Sequence, residues 1–174
     1  MQDVLKKAQK GNEQAFLHLF QPYEEDIYRM AFMYVKNPND ALDIVQETAY
    51  RSFKHIKSVK EASYFKTWLL RIAINCSLDL LRANQKTLQL YPETEENIPE
   101  TIQEDIDLKV TLNDLMNGLN ENEKSVVILK FYNGLTFKEI GETLDMPLGT
   151  AKTILYRALE NLRAEWKGDD RYEQ

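Results

Sequence analysis

Leu135-Thr136-Phe137-Lys138-Glu139-Ile140-Gly141-Glu142-Thr143-Leu144-Asp145-Met146-Pro147-Leu148-Gly149-Thr150-Ala151-Lys152-Thr153 is the stretch whose reading decides the fold. Thr136 and Glu139 have capping-box spacing and open a short helix through Leu144. Asp145 to Gly149 reads as a tight turn, and a longer helix follows from about Gly149 to Trp166. A short helix, a turn and a longer helix make a helix-turn-helix. Ile140, Leu144, Ala151, Leu155 and Leu162 are placed to hold the pair together, and small Gly141 permits close approach. With Ala151, Leu155, Ala158 and Leu162 inward, Thr150, Lys152, Thr153, Tyr156 and Arg157 face outward. Those residue types suit phosphate and base-edge contacts in a major groove. The same pattern fits a helical hairpin whose outer face is merely solvated.

Upstream, Asn120-x-x-Glu123 is a second capping-box signal, for a helix through Phe131, and Tyr132-Asn133-Gly134 supplies a left-handed stop. A further helix is expected from about Asp105 to Leu119, carrying Ile106, Leu108, Val110, Leu112, Leu115 and Met116. Between about Gln85 and Glu104 periodicity fails: two prolines and many acids mark a flexible acidic linker.

The N-terminal part is also helical. Gly11-Asn12 ends one helix and starts another, and Pro22 is expected to break or restart the chain before a helix from Tyr23 to about Val35. Lys36-Asn37-Pro38-Asn39 reads as a turn, with Asn39 as N-cap of a helix to about Ile56. Ser63 is expected to cap the most apolar helix, roughly Tyr64 to Arg82. At 100° per residue, apolar side chains cover most of that helix. The remaining arc holds Tyr64, Thr67, Trp68, Arg71, Asn75, Asp79 and Arg82, with Leu78 among them. Core packing does not require this polar-aromatic stripe, so it reads as a readout surface or a solvated edge. No stretch alternates in the manner of strands, and the chain is therefore read as all-α: two small helical domains, 1–84 and 105–174, joined by the linker 85–104.

Composition bounds the function. The 174 residues are 43% hydrophobic and 29% charged, as in a soluble folded protein. No apolar run reaches the length of a membrane span and the start lacks a secretory signal, so a cytoplasmic protein is expected. The single cysteine, Cys76, precludes a disulfide within the chain or a multi-cysteine zinc site. His18 and His55 share no short motif, and no cofactor is expected. The net charge of −6 is unevenly spread. Residues 1–84 hold 12 basic and 10 acidic side chains, 85–122 hold 2 and 9, and 123–174 hold 8 and 9. The acidity sits mostly in the middle, and each end can present a local basic face. Neither end is basic enough for strong unaided DNA binding.

Leu135–Thr153 resembles the region 4 signature of extracytoplasmic-function sigma factors in the sigma-70 family. Asp40-Ala41-Leu42-Asp43-Ile44-Val45-Gln46-Glu47-Thr48 resembles their region 2.2, and Phe65-Lys66-Thr67-Trp68-Leu69-Leu70-Arg71-Ile72-Ala73-Ile74-Asn75 the joined regions 2.3 and 2.4. The three signatures stand in the family's order and cover nearly the whole chain outside the linker.

The resemblance implies a region 2 bundle that binds core RNA polymerase and melts the −10 promoter element, and a region 4 helix-turn-helix that reads the −35 element. It assigns polymerase contact to Asp43, Gln46 and Glu47, and −10 contact to Arg71 and Asn75. Trp68 is either a further −10 contact or a packing residue at the rim. The loop Lys57–Ser63, with Lys60 and Ser63, matches the segment that captures a flipped −10 base. Lys130, Lys152, Thr153, Tyr156 and Arg157 match −35-contacting positions. Ile154 stands where the family often has a basic residue, which implies one missing contact. The resemblance further implies promoter-specific initiation in a stress response and an anti-sigma factor, membrane-bound, that holds the protein inactive.

An enzyme is disfavoured, since no phosphate loop, nucleophile elbow or metal motif is present. A stand-alone helix-turn-helix regulator leaves the N-terminal stripe idle; a helical adaptor with no DNA role is a further alternative, which charge reversal at Lys152 and Arg157 separates, since an adaptor's partner binding would survive it.

Overall fold

Turn chemistry sets most helix boundaries in the computed structural model, which describes residues 1–90 and 116–169, with side chains for 1–86 and 116–164. The chain divides into two units, Met1–Glu96 and Asn97–Gln174. Among the described residues there are helices and turns and no strand.

The first unit holds α1 (Gln2–Gln9), α2 (Glu13–Val35), α3 (Pro38–His55) and α4 (Phe65–Leu90). Gly11, at φ +89°, turns the chain after α1, and the Asn12 side chain accepts from the Ala15 N–H at 2.8 Å to start α2. α2 runs unbroken through Pro22, contrary to the expected break. An interior proline costs about 3 kcal/mol. Here it is exposed, and buried residues on both sides of it (Phe16, Leu19 and Phe20 before, Ile27, Met30 and Ala31 after) outweigh that cost.

Lys36, in the left-handed region at φ 54°, ends α2. The cap of α3 is Asn37, not Asn39: its Oδ1 accepts from the N–H groups of Asn39 at 2.8 Å and Asp40 at 3.2 Å. Pro38 takes the first helical position, where a missing N–H costs nothing and its fixed φ fits.

Ser63 does not cap α4. It lies within a 3-10 turn, Ala62–Tyr64, and its hydroxyl donates to Glu61 at 3.4 Å. α4 continues past Arg82 to Leu90, because residues 83–90 include several strong helix formers and neither glycine nor proline. It packs on α2 and α3 around Phe65, Leu69, Leu70, Ala73 and Ile74, with Phe65 in ring contact with Tyr23 (5.9 Å) and Trp68 (5.8 Å). The remaining linker positions, 91–104, and the expected helix from Asp105 to Leu119, as far as Leu115, lie outside the described residues; at Met116–Gly118 the chain forms a 3-10 turn rather than the end of an α-helix.

The second unit opens on a 3-10 turn, Met116–Gly118, then α5 (Glu121–Val127), α6 (Phe137–Leu144) and α7 (Leu148–Asp169). Both capping boxes form: Asn120 with Glu123, and Thr136 with Glu139. α5 widens into a π turn, Ile128–Tyr132, closed by Asn133 N–H to Ile128 C=O at 3.1 Å, where plain helix was expected. Gly134 at φ +66° and Asp145 at φ 57° supply the left-handed stops after the π turn and α6. A Cβ added at Gly141 would lie 2.7 Å from the Met146 carbonyl oxygen, so the close approach at the turn needs glycine. Ile140, Ala151, Leu155 and Ala158 are buried between the helices, while Leu144 and Leu162 are half-buried.

Candidate nucleic-acid interface

α3 carries Asp43 with Gln46 and Glu47, three and four residues further on, along one face. Asp43 and Gln46 are exposed, and exposed Leu42 and Tyr50 share their side of the helix. Glu47 is held from within the unit: its carboxylate accepts from Arg51 Nε at 2.5 Å. Arg51 also reaches across to α4, where its Nη1 donates to Asp79 at 2.9 Å. The carboxylates of Glu47 and Asp79 hold the Arg51 guanidinium well above its ordinary pKa.

On α4, Arg71 and Asn75 are exposed and Trp68 is half-buried against Phe65, so Trp68 serves at least as rim packing. These three residues join Arg51, His55, Ser58 and Ile72 around a groove of about 340 Å³. Arg51 and His55 were not picked out from the sequence. The signal available was spacing: Arg51 follows Glu47 by four residues and His55 follows Arg51 by four, one helical face. Lys60 and Ser63 are exposed on the adjoining loop and do not line this groove. Cys76 is buried, and burial pushes its thiol pKa up, which fits a packing residue.

In the second unit, Lys152, Thr153 and Tyr156 form an exposed row on α7. The Thr153 hydroxyl donates back to Gly149 C=O at 3.0 Å. Arg157 belongs to the same row but is tied down: its Nε donates to Glu123 at 2.7 Å. Glu123 is almost fully buried, and its other oxygen accepts from the Asn120 N–H at 3.1 Å, so one carboxylate serves both the α5 cap and α7. Lys130 is half-buried, donates to Leu135 C=O at 3.2 Å and lies 5.0 Å from the Phe137 ring centre. Lys152 approaches the same ring at 5.6 Å. Ile154 is buried, so its position packs the interior. The cavity at the helix-turn-helix turn, about 400 Å³, is lined by Lys138, Glu142, Asp145 and their neighbours and includes none of the expected contact residues.

Among the described residues no group of His, Cys, Asp and Glu is arranged to hold a metal ion, and no helix is long and apolar enough to cross a membrane.

Comparison with known proteins bears on both units. The family model for Sigma-70 region 2 matches residues 19–87, and that for Sigma-70, region 4 matches residues 115–164. RNA polymerase sigma factor SigV of Bacillus subtilis is 34% identical over 148 residues, covering 85% of this chain and 89% of that protein. ECF RNA polymerase sigma factor SigW of the same organism is 30% identical over 175 residues, covering 92% and 94%. Among solved structures, CnrH in complex with the cytosolic domain of CnrY has a similar fold, with TM-score 0.75 and 20% identity over 97% of each chain. The sigma factor RpoE of Bartonella quintana, in complex with the anti-sigma factor NepR, gives TM-score 0.69 and 20% identity over 89% of this chain and 96% of that one.

Proposed function

The chain belongs to the sigma-70 family, in its extracytoplasmic-function class, and from that premise we propose how its surfaces divide the work of promoter-specific initiation. A sigma factor is a transcription initiation factor, not an enzyme. The outer face of α3, with Asp43, Gln46 and Glu47, binds core RNA polymerase. The groove beside α4 reads the −10 element through Arg71 and Asn75, with Trp68 at its edge. The loop bearing Lys60 and Ser63 takes an unpaired base, whose unstacking costs a few kcal/mol that the pocket must offset. The α7 row of Lys152, Thr153 and Tyr156, with Lys130 and Arg157 beside it, reads the −35 element in the major groove.

The observation that carries this reading is the gathering of Trp68, Arg71 and Asn75 with Arg51 and His55 at one groove, on the stripe that core packing does not need. Weak local basicity fits two faces that act jointly. Held by polymerase, each raises the effective concentration of the other, so affinity appears in the complex and falls steeply with salt. CnrH was solved with the cytosolic domain of CnrY and RpoE with NepR. An anti-sigma factor, as NepR is for RpoE, holds this chain inactive in the cytoplasm until a stress releases it, and we place that partner at the membrane.

The test is transcription of genomic DNA in vitro by core bacterial polymerase with and without the purified chain, followed by start-site mapping. New starts sharing two spaced upstream elements are expected. A folded chain that yields none overturns the reading.

A further inference from the structure

The loop between α3 and α4 is held by side chains nearly fifty residues or more away in sequence. Gln9 Nε2 donates to Val59 C=O at 2.7 Å and to Ile56 C=O at 3.2 Å. Gln2 Oε1 accepts from the Ala62 N–H at 2.8 Å, and its Nε2 reaches Lys60 C=O at 3.5 Å. Gln2, Leu5 and Gln9 lie along one stripe of α1, and fully buried Leu5 fixes that stripe to the unit. Seven residues of helix span about 10 Å. The three steps from Val59 to Ala62 span about the same when extended. The two glutamines are therefore spaced to hold both ends of this stretch. With Ile56, Val59 and Ala62 drawn inward, Lys57, Ser58, Lys60, Glu61 and Ser63 are all turned out.

We propose that α1 is a positioning element for promoter opening: Gln2 and Gln9 hold the loop 56–62 in the shape that receives the unpaired −10 base. The proposal rests on the base-capturing role given to that loop above. The region 2 family match begins at residue 19, so α1 lies before it. A loop whose backbone polar groups are satisfied in advance pays less ordering entropy when DNA binds.

The two glutamines use opposite ends of the amide, which gives the test its form. Gln2 acts chiefly as an acceptor and Gln9 as a donor. Gln2→Glu keeps the acceptor, whereas Gln9→Glu turns a carboxylate on two carbonyls. Gln9→Met keeps the length and loses the donor. Full-length variants are bound to core polymerase. They are then titrated with a fork-junction DNA that carries the −10 non-template strand of a mapped promoter unpaired.

Losing the donor is expected to weaken fork-junction binding roughly three- to tenfold in Gln9→Met. Gln9→Glu should lose at least as much, while Gln2→Glu stays near the parent and Gln2→Ala falls. Affinity for core, and binding of a duplex bearing the −35 element alone, should not move. Equal binding by Gln9→Met and the parent, while Lys60→Ala and Ser63→Ala weaken it, overturns the role of α1 and leaves the loop reading intact. If the loop substitutions also change nothing, the base-capturing role falls with it. Weakening in Gln9→Met without any in the loop variants, or with an equal loss of core affinity, likewise overturns the proposal.

Discussion

The two proposed DNA-reading faces are built differently. In the first unit Arg71 and Asn75 stand exposed at the mouth of a groove, and the core beneath is closed by Phe65, Leu69 and Ala73 without them. In the second unit the reading residues also fasten the fold: Arg157 is bonded to buried Glu123, and Lys130 to the Leu135 carbonyl. A larger bundle can keep readout and packing apart. In the second unit the described helices place Arg157 and Lys130 where one side chain can both hold the packing and face outward, so these residues serve twice.

Substitutions can break or sharpen this contrast. Arg157→Glu sets a second carboxylate against buried Glu123, and with Arg157 itself more than half exposed it should destabilise the second unit by about 1–3 kcal/mol, as seen in urea denaturation. A change under 1 kcal/mol would erase the contrast. Arg71→Ala combined with Asn75→Ala should lower transcription from a mapped promoter by about a hundredfold, since each good base contact discriminates by roughly 1–3 kcal/mol. Its denaturation curve should stay within about 0.5 kcal/mol of the parent. Gly141→Ala forces the turn apart and should cost about 1–3 kcal/mol in the second unit, with loss of −35 duplex binding in parallel. Asp79→Asn removes one partner of an exposed network and should cost about 0.2–1 kcal/mol, less in high salt. The smallest effect concerns pH. The Cys76 thiol ionises less readily folded than unfolded, so stability should decline above about pH 8.5. Cys76→Ala should remove that alkaline slope.

Features written in local chemistry were legible in the sequence. Capping boxes at Asn120 and Thr136, the glycine stop at 134 and the close approach at Gly141 all act within a few residues, and each appears in the structure. The exposure of Arg71, Asn75, Lys152, Thr153 and Tyr156 follows from helical period alone. Some of what escaped is a local choice between close alternatives, such as Asn37 over Asn39 as cap and the 3-10 turn at Ser63, but the larger part depends on partners distant along the chain. Pro22 was read as a break because its cost is local while the burial that outweighs it is tertiary. The Arg51–Asp79 bridge, the Glu123–Arg157 bond and the hold of Gln2 and Gln9 on the loop join residues 28 to 60 positions apart. The burial of Ile154 follows from its helical phase beside Ala151, Leu155 and Ala158.

The double duty of Glu123 bears on engineering. Because one buried acid closes the first turn of α5 and grips α7, α7 is not a detachable cassette. A graft of 148–164 into a foreign scaffold would arrive with Arg157 separated from Glu123. Exchanging promoter preference between relatives therefore means moving 120–164 as a single block, cap included.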